Sequence, residues 1–159
     1  LDKYSPTNPF LKRGVTMSIL YQSDLFSIND DPQLLDLTTI HQFLAQDSYW
    51  AQNRTMEQVI QSIKHSYCLG AYFPAGDLVG FARIVTDWTT FAWICDVFVL
   101  KQARGLGIGK QLVACMVEHP DLKNIRRLML ATRDAHLLYQ QFGFVVEDNP
   151  NSIMKRFKP

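Results

Sequence analysis

The sequence has no C-x-x-C pair, no H-x-x-x-H or H-x-H pair, and no excess of one charge. No run approaches the roughly 20 apolar residues that span a bilayer. Each absence closes a class of function. The three cysteines, Cys68, Cys95 and Cys115, stand 27 and 20 residues apart, an odd count that makes a poor disulfide framework and a poor zinc site. Each lies in an apolar stretch and reads as a buried, reduced thiol of a cytoplasmic protein. His41, His65, His119 and His136 show no ligand spacing, so no metal is expected. The 16 Lys and Arg nearly cancel the 15 Asp and Glu, leaving +1. That is not the basic excess of a nucleic-acid binder, and neither a nucleic acid nor a membrane is an expected partner.

What is present suffices for one core. The 159 residues are 47% apolar and 19% charged, which excludes disorder and permits a fold without staples. Residues Leu1 to Thr16 differ from the rest, with two prolines, no periodicity, no initiator Met and no apolar stretch of a secretory signal. They read as a vector-derived or disordered leader, with the native start at Met17 and a single domain over residues 17–159.

Periodicity orders the elements. Ser18 to Tyr21 reads as a strand. Leu34 to Ala45 puts Leu34, Leu37, Ile40, Phe43 and Leu44 on one helical face. Met56 to His65 is a second helix, with a buried stripe of Met56, Val59, Ile60 and Ile63, and with Thr55 and Gln58 spaced as a capping box. Between the helices lie Tyr49, Trp50 and Arg54. Strands follow at Tyr67 to Phe73, Leu78 to Thr86 and Phe91 to Leu100, separated by Pro74-Ala75-Gly76-Asp77 and Asp87 to Thr90. Gly107 to Glu118 is a helix that Pro120 stops. Arg127 to Ala131, Phe144 to Glu147 and Ile153 to Phe157 read as strands, with a helix at Asp134 to Phe142. The order predicts an α/β protein with a mixed sheet, partly antiparallel and partly parallel.

The segment from Val99 to Lys110 is the most informative. A strand ends, three glycines at alternate positions follow, and a helix begins. Such a turn lets N–H groups converge on an anion, helped by the helix N-terminus and by Arg104 and Lys110. Spacing excludes two phosphate loops. G-x-G-x-x-G fails because Lys110 occupies the third glycine position. Walker A fails because Arg104 replaces its first glycine and Gln111 follows Lys110.

The pattern that fits is R-x-x-G-x-G, carried by Arg104, Gly107 and Gly109. It resembles the acetyl-coenzyme A loop of the GCN5-related N-acetyltransferases, the GNAT superfamily. Leu138-Tyr139-Gln140-Gln141-Phe142-Gly143-Phe144 resembles that family's L-Y-x-x-x-G-F signature. The resemblance implies a sheet splayed at its centre and a cytoplasmic enzyme that moves the acetyl group of acetyl-CoA to a primary amine of a small-molecule or peptide acceptor, directly, in a ternary complex. An acyl-CoA-binding regulatory module, and a transferase using another acyl-CoA or acceptor, are the alternatives. A homodimer is left open.

Residue by residue, the resemblance implies that Phe98, Val99 and Leu100 hold the pantetheine arm through main-chain groups. Val97 or Phe98 supplies an N–H to the oxyanion. Arg104, Gly105, Leu106, Gly107, Ile108, Gly109 and Lys110 hold the pyrophosphate. Lys101 and Ala103 replace a Pro and an aromatic common in the family, without touching the N–H donors. Thr132 stands where many members carry an Asn. Tyr139 is the expected donor to the leaving thiolate. Asp96, the one charge in the most apolar strand, is read as general base, as anchor of the substrate ammonium, or as partner of Arg83; Asp87 and Glu118 are weaker candidates for the base. Tyr49, Trp50, Arg54, Trp88 and Phe91 are the expected acceptor pocket, with Arg54 pointing to a carboxylate. A covalent route would need a nucleophile, and Cys95 is the only thiol near the loop.

Overall fold

The computed structural model describes residues 18–149 and 152–156, so the expected leader and start site lie outside the described residues. Its centre is a six-stranded sheet in the order β1 (Ile19–Gln22), β2 (Ser27–Asn29), β3 (Tyr67–Tyr72), β4 (Leu78–Thr86), β5 (Phe91–Val99) and β6 (Arg127–Leu130). The first five are antiparallel neighbours, and β6 runs parallel to β5. Parallel pairing needs a crossover, which α3 (Ile108–Val117) provides. The mixed sheet expected from element order is therefore present.

Strand alternation sends side chains to two cores. Leu69, Ala71, Ala82, Ile84, Ala92 and Ile94 pack on Ile108, Leu112, Val113 and Met116 of α3. Cys68, Phe81 and Phe98 meet Ile40, Phe43, Leu44 and Val59 from the two N-terminal helices on the opposite face. Phe43 stacks on Phe98 with ring centroids 4.0 Å apart, fixing the helical layer over the end of β5.

Local chemistry sets those helices. Asp36 accepts from the N–H groups of Thr38 and Thr39, so α1 (Leu37–Gln42) starts there rather than at Leu34. Leu34 sits in a preceding 3-10 turn and is 51% exposed, while Leu35 is buried in its place. After Gln42 the helix widens into a π turn over Phe43–Asp47, closed by Ser48 N–H on the Phe43 carbonyl. The expected continuous helix over 34–45 is thus two unlike pieces around a short α1. In α2 (Met56–Lys64) the capping box forms on both sides: Gln58 N–H donates to Thr55 Oγ1, and Thr55 N–H to Gln58 Oε1. Val59 is fully buried there, but Ile60, expected in the stripe, is 40% exposed.

Three further differences are instructive. β2 was not expected, because three residues carry too little pattern; its partner β3 supplies the pairing. α4 spans only His136–Gln140, since Thr132 Oγ1 accepts from Ala135 N–H and turns the chain before it. The strands expected at 144–147 and from 153 are absent among the described residues. Val145, Val146 and Met154 are 84%, 66% and 94% exposed there, so no strand partner offsets the cost of extending them.

Gly70 in β3 has a steric reason. A Cβ there would overlap the Tyr72 hydroxyl and ring, which lie across it. Tyr72 is buried in the helix-side core and cannot swing to solvent. Gly70→Ala is expected to cost about 1–3 kcal/mol as overpacking, read as a lowered urea midpoint with an unchanged slope.

Candidate functional site

β5 and β6 part company midway. Their register runs from Phe91↔Arg127 to Ile94↔Leu130 and ends there, while β5 continues to Val99 beside β4. The sheet is splayed from Cys95 onward. Leu100 N–H donates to the Val79 carbonyl at 2.8 Å, so alternation turns the Val99 and Val97 N–H groups toward the gap.

The gap begins at a backbone irregularity. Phe81 pairs Phe98 and Arg83 pairs Cys95, so β5 holds one extra residue against β4, a β-bulge. Asp96 lies in it with φ +52°, a left-handed conformation uncommon outside glycine but tolerated by Asp. The bulge turns its side chain into the helical layer. One carboxylate oxygen accepts from Trp50 Nε1 at 3.0 Å. The other accepts from Arg54 and from Arg83 Nε, each at 2.8 Å. Arg83 also donates to Ser66 Oγ.

The electrostatics follow from burial. The Asp96 side chain is only 2% exposed, against 23% for Arg54 and 12% for Arg83. Burial alone would push the carboxyl up, but the charges and hydrogen bonds of Arg83 and Arg54 outweigh it and hold the group below the usual carboxylate range. A carboxylate held in this way is a weak proton acceptor, so the geometry favours the sequence alternative of a partner for Arg83 over a base. Burial pushes the neighbouring Cys95 thiol up to about 11, which leaves little thiolate for a covalent route.

Beyond β5 the chain makes a 3-10 turn at Lys101–Ala103 and enters the glycine loop. Gly105 and Gly107 have φ of +83° and +82°, and nothing lies within 4 Å of where their Cβ atoms would be. Gly107 is the N-cap of α3, and the first intrahelical bond runs from Gln111 N–H to its carbonyl at 3.0 Å. The N–H groups of Ile108, Gly109 and Lys110 therefore have no acceptor inside the helix and face an open cradle flanked by exposed Arg104 and Lys110. The residues present fit a pyrophosphate.

Tyr139 stands on α4, mostly buried. Burial first, then the nearby Tyr49 and Asp134, push its phenol up to about 12, so it stays protonated at neutral pH. Tyr49 belongs to the loop between α1 and α2. Its hydroxyl accepts from Arg133 N–H at 3.0 Å, and the Arg133 guanidinium lies 3.7 Å from its ring centroid. That contact straps the α1–α2 loop to the loop after β6.

Of the expected acceptor residues, Trp50 and Arg54 come together on Asp96. Trp88 does not: it packs against Tyr67 and His119 on the α3-side core, at the β4–β5 turn. Phe91 opens β5 beside Trp93, five residues or about 17 Å of strand from Asp96. The turn before β5, where the resemblance implies acceptor specificity, lies at the end of the hairpin opposite the splay. Arg133 was missed, since nothing in a connection after a strand signals a partner 84 residues back. Thr132 is used in capping α4. Asp87 is spent on its own turn, accepting from the Thr89, Thr90 and Phe91 N–H groups.

Comparison with known proteins gives a consistent family. The model of the Acetyltransferase (GNAT) family matches residues 37–144. A Xanthomonas campestris pv. campestris structure described as belonging to the GNAT family is 42% identical, with a TM-score of 0.80 over 84% of this chain and 94% of that one. A Gibberella zeae protein with a provisional acetyltransferase name is 26% identical over 138 residues, 74% of this chain and 78% of its own length. A Clostridium acetobutylicum structure solved with acetyl-CoA shares the fold, at a TM-score of 0.59 and 16% identity over 77% of this chain and 90% of that one.

Removing the Asp96 charge would leave two mostly buried guanidinium groups without a counter-ion. Asp96→Asn is expected to cost about 3 kcal/mol, a melting point roughly 6–12 °C lower at neutral pH. The native carboxyl has a depressed pKa, so its contribution is present above about pH 4 and lost as pH falls through the lower native value. The gap between wild type and variant should therefore close below about pH 4, as followed by thermal melts across pH.

Proposed function

This chain belongs to the GNAT acetyltransferase family, and on that premise we propose that it transfers the acetyl group of acetyl-CoA to a primary amine within a ternary complex. The observation that carries the reading is the continuity of the splay with the glycine cradle. β5 leaves β6 at Ile94, runs free to Val99, and delivers the chain to the N-terminus of α3. A ligand with an amide arm and a pyrophosphate has both of its needs met along one path.

Acetyl-CoA supplies an acetyl group activated as a thioester. Along the gap, Val97, Phe98 and Val99 hold the amide arm as an added strand would, while the N–H groups from Gly105 to Lys110, with Arg104, hold the pyrophosphate. A Val97 N–H, on the gap side of β5, meets the negative charge that develops on the thioester oxygen, whereas alternation turns the expected Phe98 N–H toward Phe81 of β4. Tyr139, kept protonated by burial, gives its proton to the departing sulfur as the C–S bond breaks, and the proton that the amine loses on forming the C–N bond returns through water to restore the phenol. Asp96 acts as a positioning residue. Its hydrogen bonds to Trp50 and Arg54 fix the acceptor-side loop against the strand that holds the acyl group. The acceptor enters between that loop and the splay, under the Tyr49–Arg133 strap.

Among the described residues no helix is long and apolar enough to cross a membrane.

Acetyl-CoA and CoA, but not NAD, should raise the melting temperature. At 100 times the dissociation constant the gain is about 2.7 kcal/mol, or roughly 5–10 °C. Gly107→Glu should erase the shift by setting a carboxylate against the pyrophosphate. Gly107→Ala, which shares the left-handed strain without the charge, should erase less of it. Equal shifts in all three proteins would exclude the cradle as the binding site.

Tyr139→Phe keeps the ring and removes the proton. Turnover is expected to fall by about 10²-fold or more with little change in acetyl-CoA affinity. In wild type, ionisation of Tyr139 should not limit turnover below roughly pH 11, because its pKa is raised to about 12. A fully active phenylalanine variant would remove Tyr139 from the chemistry.

A further inference from the structure

The Asp96 cluster is not neutral. Two guanidinium groups share one carboxylate, so the cluster carries a net +1. Their donors are incompletely used as well. Of five N–H donors, Arg54 commits one nitrogen, to Asp96; Arg83 commits Nε to Asp96 and one terminal nitrogen to Ser66. The remaining guanidinium nitrogens have no partner among the described residues. Both arginines line a cavity of about 540 Å³ together with Trp50, Asn53, Gln58 and Ser62. No acidic side chain lines it, and the one carboxylate behind it already faces two cations.

Such a surface repels a bare ammonium and attracts an oxyanion. Planar guanidinium groups with free N–H pairs suit a carboxylate or phosphate in two-point contact. The exposed indole of Trp50, held by its Nε1 bond to Asp96, gives the same cavity an apolar wall. The position relative to the acyl group follows from the chain. Asp96 immediately precedes Val97, so the carboxylate that holds both guanidinium groups belongs to the part of β5 that has left β6.

Resting on the acetyltransferase reading, we infer that Arg54 and Arg83 seat an anionic group of the acceptor, which is therefore a small zwitterion: an amine joined through a short apolar spacer to a carboxylate or a phosphate. The excess charge selects the anion, the indole covers the spacer, and the amine is left pointing toward the splay. A neutral or dicationic amine would forgo the seat or be repelled by it.

The experiment compares matched acceptors in wild-type enzyme: ω-amino acids of two to six carbons, aminoalkyl phosphates, and alkylamines of equal length. Charge-assisted hydrogen bonds of the kind available here are worth about ten- to a hundredfold. The anionic members should lead in kcat/KM by that factor, chiefly through KM, with the best chain length reporting the distance from seat to splay. Comparing carboxylates with phosphates identifies which anion the site takes. Acetate and inorganic phosphate should inhibit competitively against the amine. Arg54→Gln, which leaves Asp96 paired one-to-one with Arg83, should reduce the preference to near unity.

Equal use of alkylamines, or an undiminished preference in a folded Arg54→Gln protein, would overturn the seat while leaving the transferase reading intact. If that variant does not fold, competition by acetate and phosphate in wild type decides. If acetyl-CoA binds yet no amine is acetylated, calorimetric titration of the ω-amino acids and aminoalkyl phosphates in the presence of CoA decides. Heat from these but not from alkylamines keeps the seat, and its absence ends it. Absence of an acetyl-CoA thermal shift is a separate result, which removes the transferase reading instead.

Discussion

The carboxylate of Asp96 is the point on which the two halves of the site depend. It comes from the strand that leaves its neighbour, and it is held by donors from both the α1–α2 loop and β4. Trp50 and Arg54 come from the loop and edge of the helical layer, and Arg83 from the adjacent strand. A buried ion pair adds little net stability, because desolvation offsets attraction. What it gives is position. The bulge that admits Asp96 in a left-handed conformation also ends the β5–β6 register, so one irregularity opens the gap and fixes the loop that faces it.

From that point the site divides into two electrostatic regions. At the far end, the N-terminus of α3 and its glycines offer main-chain N–H groups to a phosphate, a preference built from backbone geometry and little altered by side-chain identity. At the near end, the proposed acceptor seat is made of side chains: two arginines and an indole, beside the strap of Tyr49 against Arg133. Family members can keep the first region while exchanging the second, since the first needs a conformation and the second needs particular groups. Tyr139, on α4, is dry enough to keep its proton.

Several features set by near neighbours are legible in the sequence. β4 spans Leu78–Thr86 as expected, because turns bound it on both sides. The Thr55–Gln58 capping box and the start of α3 at Gly107 follow from groups within four residues of one another. Errors arose where a local pattern met a competing partner. Asp36 captured two N–H groups and moved the start of α1 past Leu34, which a 3.6-residue period alone had placed inside the helix. Trp88 looked like a pocket residue and is held at the opposite end of the hairpin by Tyr67 and His119.

The sequence by itself determined the α/β class with its mixed sheet, that a strand runs through a glycine-rich turn into a helix N-terminus, and that the family motifs stand at Arg104 to Gly109 and Leu138 to Phe144. These are statements about spacing, and spacing is complete in one dimension. Tertiary structure decided which groups hold Asp96. Whether that residue is a base or a counter-ion depends on contacts to residues 46, 42 and 13 positions away. It likewise decided that Arg54 faces a cavity beside Arg83, and that Arg133 reaches back to Tyr49. Charge balance within a few ångströms sets the chemistry of a buried group, and only the folded chain brings those charges within range.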